Sequence, residues 1–156
     1  MLGLAAQWLG VNQTQANSVA PILISEEQGR HKSTFCRMLM PPQLARYYSD
    51  NLKLTAQGNP ERLLAEMGLL NMDEFDKFGA QKMPLLKNLM QMSSLNICKA
   101  YQKNFRSLPR IASFIGTSNR TDLLCDPTGS RRFICIEAEH DIDCTGIEHS
   151  QIYAQL

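Results

Sequence analysis

The sequence predicts an α/β sandwich with a largely parallel sheet, on three observations. Short apolar runs alternate along the chain with segments of helical periodicity, the order that lays helices over parallel strands. The first run, Ile22-Leu23-Ile24, leads through a polar loop straight into a helix, as in an open α/β unit whose ligands gather at the carboxyl ends of the strands. The chain has 156 residues, 44% of them hydrophobic, which suits one compact domain with a single core.

Residues 1–20 form a helical lead-in. Pro21 opens the strand at 22–24, and residues 25–31 are its loop. From Lys32 the pattern turns helical, with Phe35, Met38 and Leu39 on one side, until Pro41-Pro42 ends it. Asn59-Pro60-Glu61 starts another helix with a capping residue and a proline at its first position. Leu63, Leu64 and Met67 point inward, and Gly68 closes it. Residues 69–72 form a strand that runs into Asp73-Glu74. Met83, Leu86, Leu89 and Met90 mark a helix from about residue 80 to 92, and their stripe reads as core packing rather than a cofactor surface.

Residues 96–107 are mixed and basic and predict a hairpin or extended excursion. Two more strands follow, at 111–115, ending in Gly116-Thr117-Ser118-Asn119, and at 132–136, after the turn Asp126-Pro127-Thr128-Gly129. A last helix begins near Ile147 and the chain stops inside it. We therefore expect residues 21–156 to be a core cut short at its C-terminal end.

Lys plus Arg number 16 against 15 Asp plus Glu, a net charge of +1. Whole-chain charge thus gives no case for nucleic acid or membrane, and any basic surface must be local. The opening MLGLAAQWLGVNQ is short, broken by Gln and Gly, and lacks a basic stretch before it, so no secretory signal is predicted. No apolar run approaches the roughly 18 residues of a membrane span. The odd set Cys36, Cys98, Cys125, Cys135 and Cys144 has no CxxC pairing and reads as reduced thiols, which places the chain in the cytoplasm.

The loop after the first strand carries the first candidate chemistry. In a GxxxxGK[ST] phosphate loop, glycines let backbone N–H groups curl around phosphates, Lys meets their charge and Ser or Thr holds magnesium. Here Gln28, Gly29, Arg30, His31, Lys32, Ser33 and Thr34 occupy that place. With Lys32 as the phosphate lysine, the motif's two glycines fall on Glu26 and His31, so only Gly29 is a loop glycine. A polar loop with one Gly and a Lys-Ser pair is as a rule a surface turn. Its position between an apolar strand and a helix N-terminus favours anion binding.

The strand at 69–72 delivers Asp73 to a metal shell and Glu74 to the attacking water, with Asn71 interrupting the apolar run. An Asp-Glu pair alone would be a solvated turn. Asn119 can position the water beside a γ-phosphate, or simply cap its loop. Arg131 and Arg132 follow a Gly-containing turn, where a guanidinium can neutralise a transferring phosphoryl group in the same or a neighbouring subunit. Lys99, Lys103, Arg106 and Arg110 alternate with Tyr101 and Phe105, a mixture suited to tracking single-stranded DNA by phosphate contact and stacking, or a solvated basic hairpin. His140, Cys144 and His149 match no zinc spacing and read as a polar loop.

The order of a QGxxKST loop, a DEFD cluster, LLKNLMQMSSLNICKAY, PRIASFIGTSN and DPTGSRRF resembles the virulence-associated protein E family across about residues 21–137. Members of that family are similar to AAA+ ATPases related to superfamily 3 helicases, encoded in phages, plasmids and integrated elements, often beside a primase domain. The resemblance implies a three-layer P-loop NTPase (AAA+-like) sandwich and ATP with Mg²⁺ as ligands. Gly29, Lys32 and Ser33 would bind nucleotide, Asp73 would contact magnesium, Glu74 would orient water and Asn119 would act as sensor. Arg131 or Arg132 would reach the phosphates across a ring interface around DNA.

The expected function is therefore an ATP-binding and ATP-hydrolysing domain of a mobile-element DNA replication protein. The alternative is a nucleic-acid-binding or assembly module that has lost turnover, motivated by acidic Glu26 and Glu27 and by His31 in a glycine's place. A small-molecule kinase lacks support, since there is no arginine-rich lid or acceptor motif.

Overall fold

The computed structural model describes residues 1–11, 16–98, 105–120, 122 and 130–156. Five parallel strands form the sheet: β1 (Ala20–Ile24), β2 (Tyr48–Ser49), β3 (Leu69–Met72), β6 (Ser113–Ser118) and β7 (Phe133–Glu137), in the spatial order β2-β3-β6-β1-β7. β4 (Ser94–Cys98) and β5 (Phe105–Pro109) form a separate antiparallel pair, as the basic excursion predicts. The helices are α1 (Leu2–Leu9), α2 (Lys32–Met38), α3 (Pro60–Glu66), α4 (Met83–Gln91) and α5 (His149–Ala154).

Strand periodicity builds the three layers, because alternate residues face opposite sides of a sheet. Ile22, Ile24, Leu70, Met72 and Phe114 face one way and pack with Leu64 of α3 and Leu86, Leu89 and Met90 of α4. Leu23, Leu69 and Ile115 face the other way and meet Leu4 of α1, Cys36 of α2 and Met40, with Trp8 and Phe35 against them. The methionine stripe of α4 is thus core, as its spacing indicates.

Among the described residues of the lead-in, helix covers Leu2–Leu9, and residues 16–19 before β1 are not helical. The helix is tied to the core. The Trp8 indole donates to the Gly68 carbonyl at 3.0 Å, and a Cβ on Gly68 would stand 3.1 Å from the Trp8 indole nitrogen. Gly68 therefore serves close approach rather than closing α3, whose C-cap is Met67. Asn59 does occupy the N-cap of α3, but with φ 43° and without a side-chain cap. β2 and the 3-10 segment Pro42–Tyr47 before it have no clear sequence signal, being a two-residue strand and a proline-initiated turn.

Asn71 faces the α2 side of the sheet, fully buried, and both its polar side-chain atoms lack a hydrogen bond of good geometry. The Tyr48 hydroxyl beside it is near enough to be affected by Asn71 and is equally unsatisfied, and burial pushes its pKa up to about 12. A buried unsatisfied amide costs about 1–3 kcal/mol. Asn71→Leu, of similar volume, should raise stability by about 1 kcal/mol, measured as a higher midpoint in urea at unchanged m-value. A lower midpoint would show that Asn71 is satisfied in solution.

Candidate functional site

The strand order places the ends of β1, β3 and β6 side by side, and every predicted site residue that follows one of them lands in one cleft. β6 lies between the other two, with Ile24 opposite Ser118 and Met72 opposite Gly116. One step further along each ladder, Ser25 and Asp73 flank Thr117 to Asn119. The cleft holds about 440 Å³ and is lined by residues 28–34, Asp73, Glu74 and residues 117–119.

The loop is shaped by left-handed backbone at Gly29 (φ 88°) and His31 (φ 59°, ψ 20°), immediately before α2. His31 therefore adopts the conformation that a glycine would supply, at a strain of about 1 kcal/mol or more. Its exposed side chain does not prevent the turn. The Ser25 hydroxyl donates to the Glu27 carbonyl at 2.9 Å and closes the start of the loop. Arg30 pairs with the Glu27 carboxylate at 2.7 Å and donates to the Glu139 carbonyl at 2.6 Å. The repulsion expected of Glu27 is thus countered within the loop itself.

Lys32 is 8% exposed. Its Nζ donates to Asn119 Oδ1 at 2.9 Å, to the Ser25 carbonyl at 3.2 Å and to the Glu27 carbonyl at 3.3 Å. Burial and the neighbouring Arg30 pull its pKa below the ordinary lysine value, while Asp73 and Asp76 oppose them. An ammonium held by neutral oxygens keeps most of its charge for an anion in the cleft.

Across from it, Ser33 Oγ and Thr117 Oγ1 donate to the same oxygen, Asp73 Oδ1, at 2.7 and 2.6 Å. Thr117 Oγ1 also accepts the Glu74 N–H at 3.3 Å. Glu74 is held in left-handed backbone (φ 52°), so its side chain turns away from the line of the strand. Its Oε1 pairs with Lys77 Nζ at 2.6 Å. The Ser118 hydroxyl donates to Asp76 at 3.0 Å.

Thr117, Asp76 and Lys77 are contributions that residue-type reasoning does not single out. Thr117 is set beside Asp73 by the β3–β6 register, a pairing that the sequence does not state. The partner of Lys77 depends likewise on the left-handed turn at Glu74.

Arg131 and Arg132 sit in the 3-10 turn Ser130–Arg132 at the start of β7, whereas the loop follows the end of β1. The two strands are parallel and in register from Ala20–Phe133 to Ile24–Glu137. Five residues of strand separate the arginines from the cleft by roughly 16 Å, so within one chain they do not approach it. Lys99 and Lys103 lie outside the described residues, and Arg106 is exposed on β5.

Arg110 departs from the nucleic-acid expectation altogether. It is 1% exposed, over the Phe114 ring, and donates to the carbonyls of Met90 at 2.6 Å, Ala112 at 2.7 Å and Asn17 at 2.7 Å. Its role is to tie the end of α4 to the start of β6. Burial lowers its pKa to about 10.

The segment after β7 folds back on the loop and α2. Ile142 N–H donates to the Arg30 carbonyl at 3.3 Å, Cys144 Sγ approaches the His31 carbonyl at 3.9 Å, and His149 Nε2 meets the Met38 carbonyl at 2.7 Å. Cys144 and His149 thus contact backbone. Among the described residues no three His, Cys, Asp or Glu side chains gather as a metal site.

A Ser and a single Asp suit Mg²⁺, a hard ion that takes one or two protein oxygens and completes its shell with phosphates and water. With Lys32 opposite, the donor set fits a magnesium–polyphosphate.

A family model described as virulence-associated protein E-like domain matches residues 10–156. Among solved structures, the chain is similar to the A form apo structure of the NrS-1 C-terminal region, with 21% identity and a TM-score of 0.57, covering 99% of this chain and 37% of that one. A second apo structure of the same region matches with 21% identity and a TM-score of 0.58, over 97% of this chain and 38% of that one. At such identity the likeness is one of fold, and the chain spans well under half the length of those structures. No curated protein matches. Among the described residues no helix is long and apolar enough to cross a membrane.

Proposed function

The chain belongs to the virulence-associated protein E-like domain family, and on that premise we propose that it is the ATP-binding and ATP-hydrolysing domain of a mobile-element DNA replication protein. One observation carries the reading: Lys32, the Ser33–Asp73 pair, Glu74 and Asn119 converge on one cleft from three adjacent strand ends.

Lys32 and the amides of residues 29–34 bind the phosphates. Magnesium held by Ser33 and Asp73 supplies neutralisation of phosphoryl charge when bound. Glu74 orients the attacking water, Asn119 fixes the Lys32 amine, and Thr117 positions both carboxylate residues through one hydroxyl. Arg131 or Arg132 serves a neighbouring subunit, in keeping with their distance from the cleft of their own chain. A ring around single-stranded DNA and a primase partner complete the proposal.

A second reading, binding without turnover, is favoured by the Glu74–Lys77 contact, which occupies the carboxylate that must meet water. Release of inorganic phosphate from Mg-ATP separates the two. The first reading predicts turnover that falls at least tenfold in Glu74→Gln with Mg-ATP affinity retained. Mg-ATP binding with no phosphate release from the unaltered chain would establish the second.

A further inference from the structure

A second cleft, of about 240 Å³, lies on the other side of the Asp73–Glu74 wall and is lined by Lys53, Lys77, Lys82, Leu52, Leu54 and Phe78. All three lysines are exposed. Neither Lys53 nor Lys82 makes an ion pair among the described residues. They come from three separate places in the fold: Lys53 follows β2, Lys77 ends the turn after Glu74, and Lys82 immediately precedes α4. Three lysines converge here beside Leu52, Leu54 and Phe78 and outnumber the two carboxylates of the shared wall, Asp73 and Glu74, which makes a modest local excess of positive charge in a chain of net charge +1.

We propose that this cleft receives the phosphodiester backbone of single-stranded nucleic acid, and that its arrival draws Lys77 off Glu74. The contact is the hinge of the idea. Glu74 and Asp73 line both clefts, so the carboxylate held by Lys77 in one is the carboxylate needed in the other. The Lys77–Glu74 pair is two-thirds and half exposed at its two ends, and an exposed pair of this kind is weak. A phosphate lodged between Lys53 and Lys82 competes for the Lys77 ammonium with its own negative charge. Glu74 is then released towards the nucleotide side. The size and the mixture of lysine and apolar lining suit a phosphodiester with part of its sugar.

The binding half stands without nucleotide turnover, whereas the coupling half rests on the hydrolytic reading, so two measurements keep them distinct. Fluorescence anisotropy of a labelled oligothymidylate with the full chain tests the first. Lys53→Gln/Lys82→Gln should weaken binding about tenfold and flatten the log–log salt dependence by about 1.4, near 0.7 for each lost phosphate contact. Unchanged affinity and slope would overturn the site. Equal displacement of the oligonucleotide by millimolar inorganic phosphate would overturn its assignment to a polymer backbone. Phosphate release tests the second: Lys77→Met should raise the basal rate at least threefold and abolish further stimulation by the oligonucleotide. A basal rate that does not rise, or stimulation that survives, would overturn the coupling, and absence of turnover in every form would refute the hydrolytic reading while leaving the anisotropy result to stand.

Discussion

Lys32→Ala is expected to lower ATP turnover by about 10²- to 10³-fold, the loss typical of removing a preorganised charge aimed at a developing negative charge. The expectation follows from how Lys32 is held. Its amine is buried and donates to two carbonyls and an amide oxygen, none of which neutralises it. Burial and the neighbouring Arg30 pull its pKa down, and a phosphate bound in the cleft would offset that cost. The same geometry predicts that Lys32→Arg fails as well, because a planar fork cannot reproduce three contacts converging on one nitrogen. The fold should persist in both variants, since the oxygens released lie at the cleft and can take water. Phosphate release by the two variants, with circular dichroism to verify folding, tests this. Turnover within about threefold of the unaltered chain in Lys32→Ala would remove Lys32 from the site.

Arg110→Met should cost about 3 kcal/mol of stability and lower the melting temperature by roughly 6–12 °C. Arg110 is almost wholly buried and gathers the carbonyls of Met90, Ala112 and Asn17, which belong to the end of α4, the lead to β6 and the segment before β1. Methionine keeps the apolar bulk and removes every donor, leaving those carbonyls unpaired in the core. Nucleotide affinity should change little at temperatures where the variant is folded, because Arg110 is remote from the cleft lining. A melting temperature within about 2 °C of the unaltered chain would mean that water or backbone rearrangement satisfies the carbonyls.

These two residues also show what a sequence can and cannot disclose. Lys32 was legible because its type, the strand before it and the helix after it share one local chemical logic. Arg110 was read as one more cation in a basic stretch with Lys99, Lys103 and Arg106, and nothing local separates it from them. Its burial is set by where α4 ends relative to β6, a tertiary relation between residues about 20 apart and almost a hundred apart.

The layers were legible for the same reason as Lys32. Ile22, Ile24, Leu70 and Met72 alternate with Leu23 and Leu69, and alternation states which face each residue serves. Strand order is not encoded in that alternation, so the neighbourhood of Thr117 and Asp73 and the distance of Arg131 from its own loop emerge only from topology. Among the loop residues, Glu26 and His31 stand where the motif has glycines and Glu27 adds a second acid, and topology answers two of these three departures. Arg30 counters Glu27, and His31 accepts the left-handed backbone.

The central claim is that the cleft around Lys32, Ser33 and Asp73 is a magnesium–nucleotide site. Calorimetric titration of the chain with ATP, with and without Mg²⁺, tests it most directly, alongside Lys32→Ala and Asp73→Asn. A saturable heat that needs Mg²⁺, disappears in Lys32→Ala and weakens at least tenfold in Asp73→Asn is the predicted result. The absence of any heat from the folded, unaltered chain, or a heat indifferent to both substitutions, would contradict it.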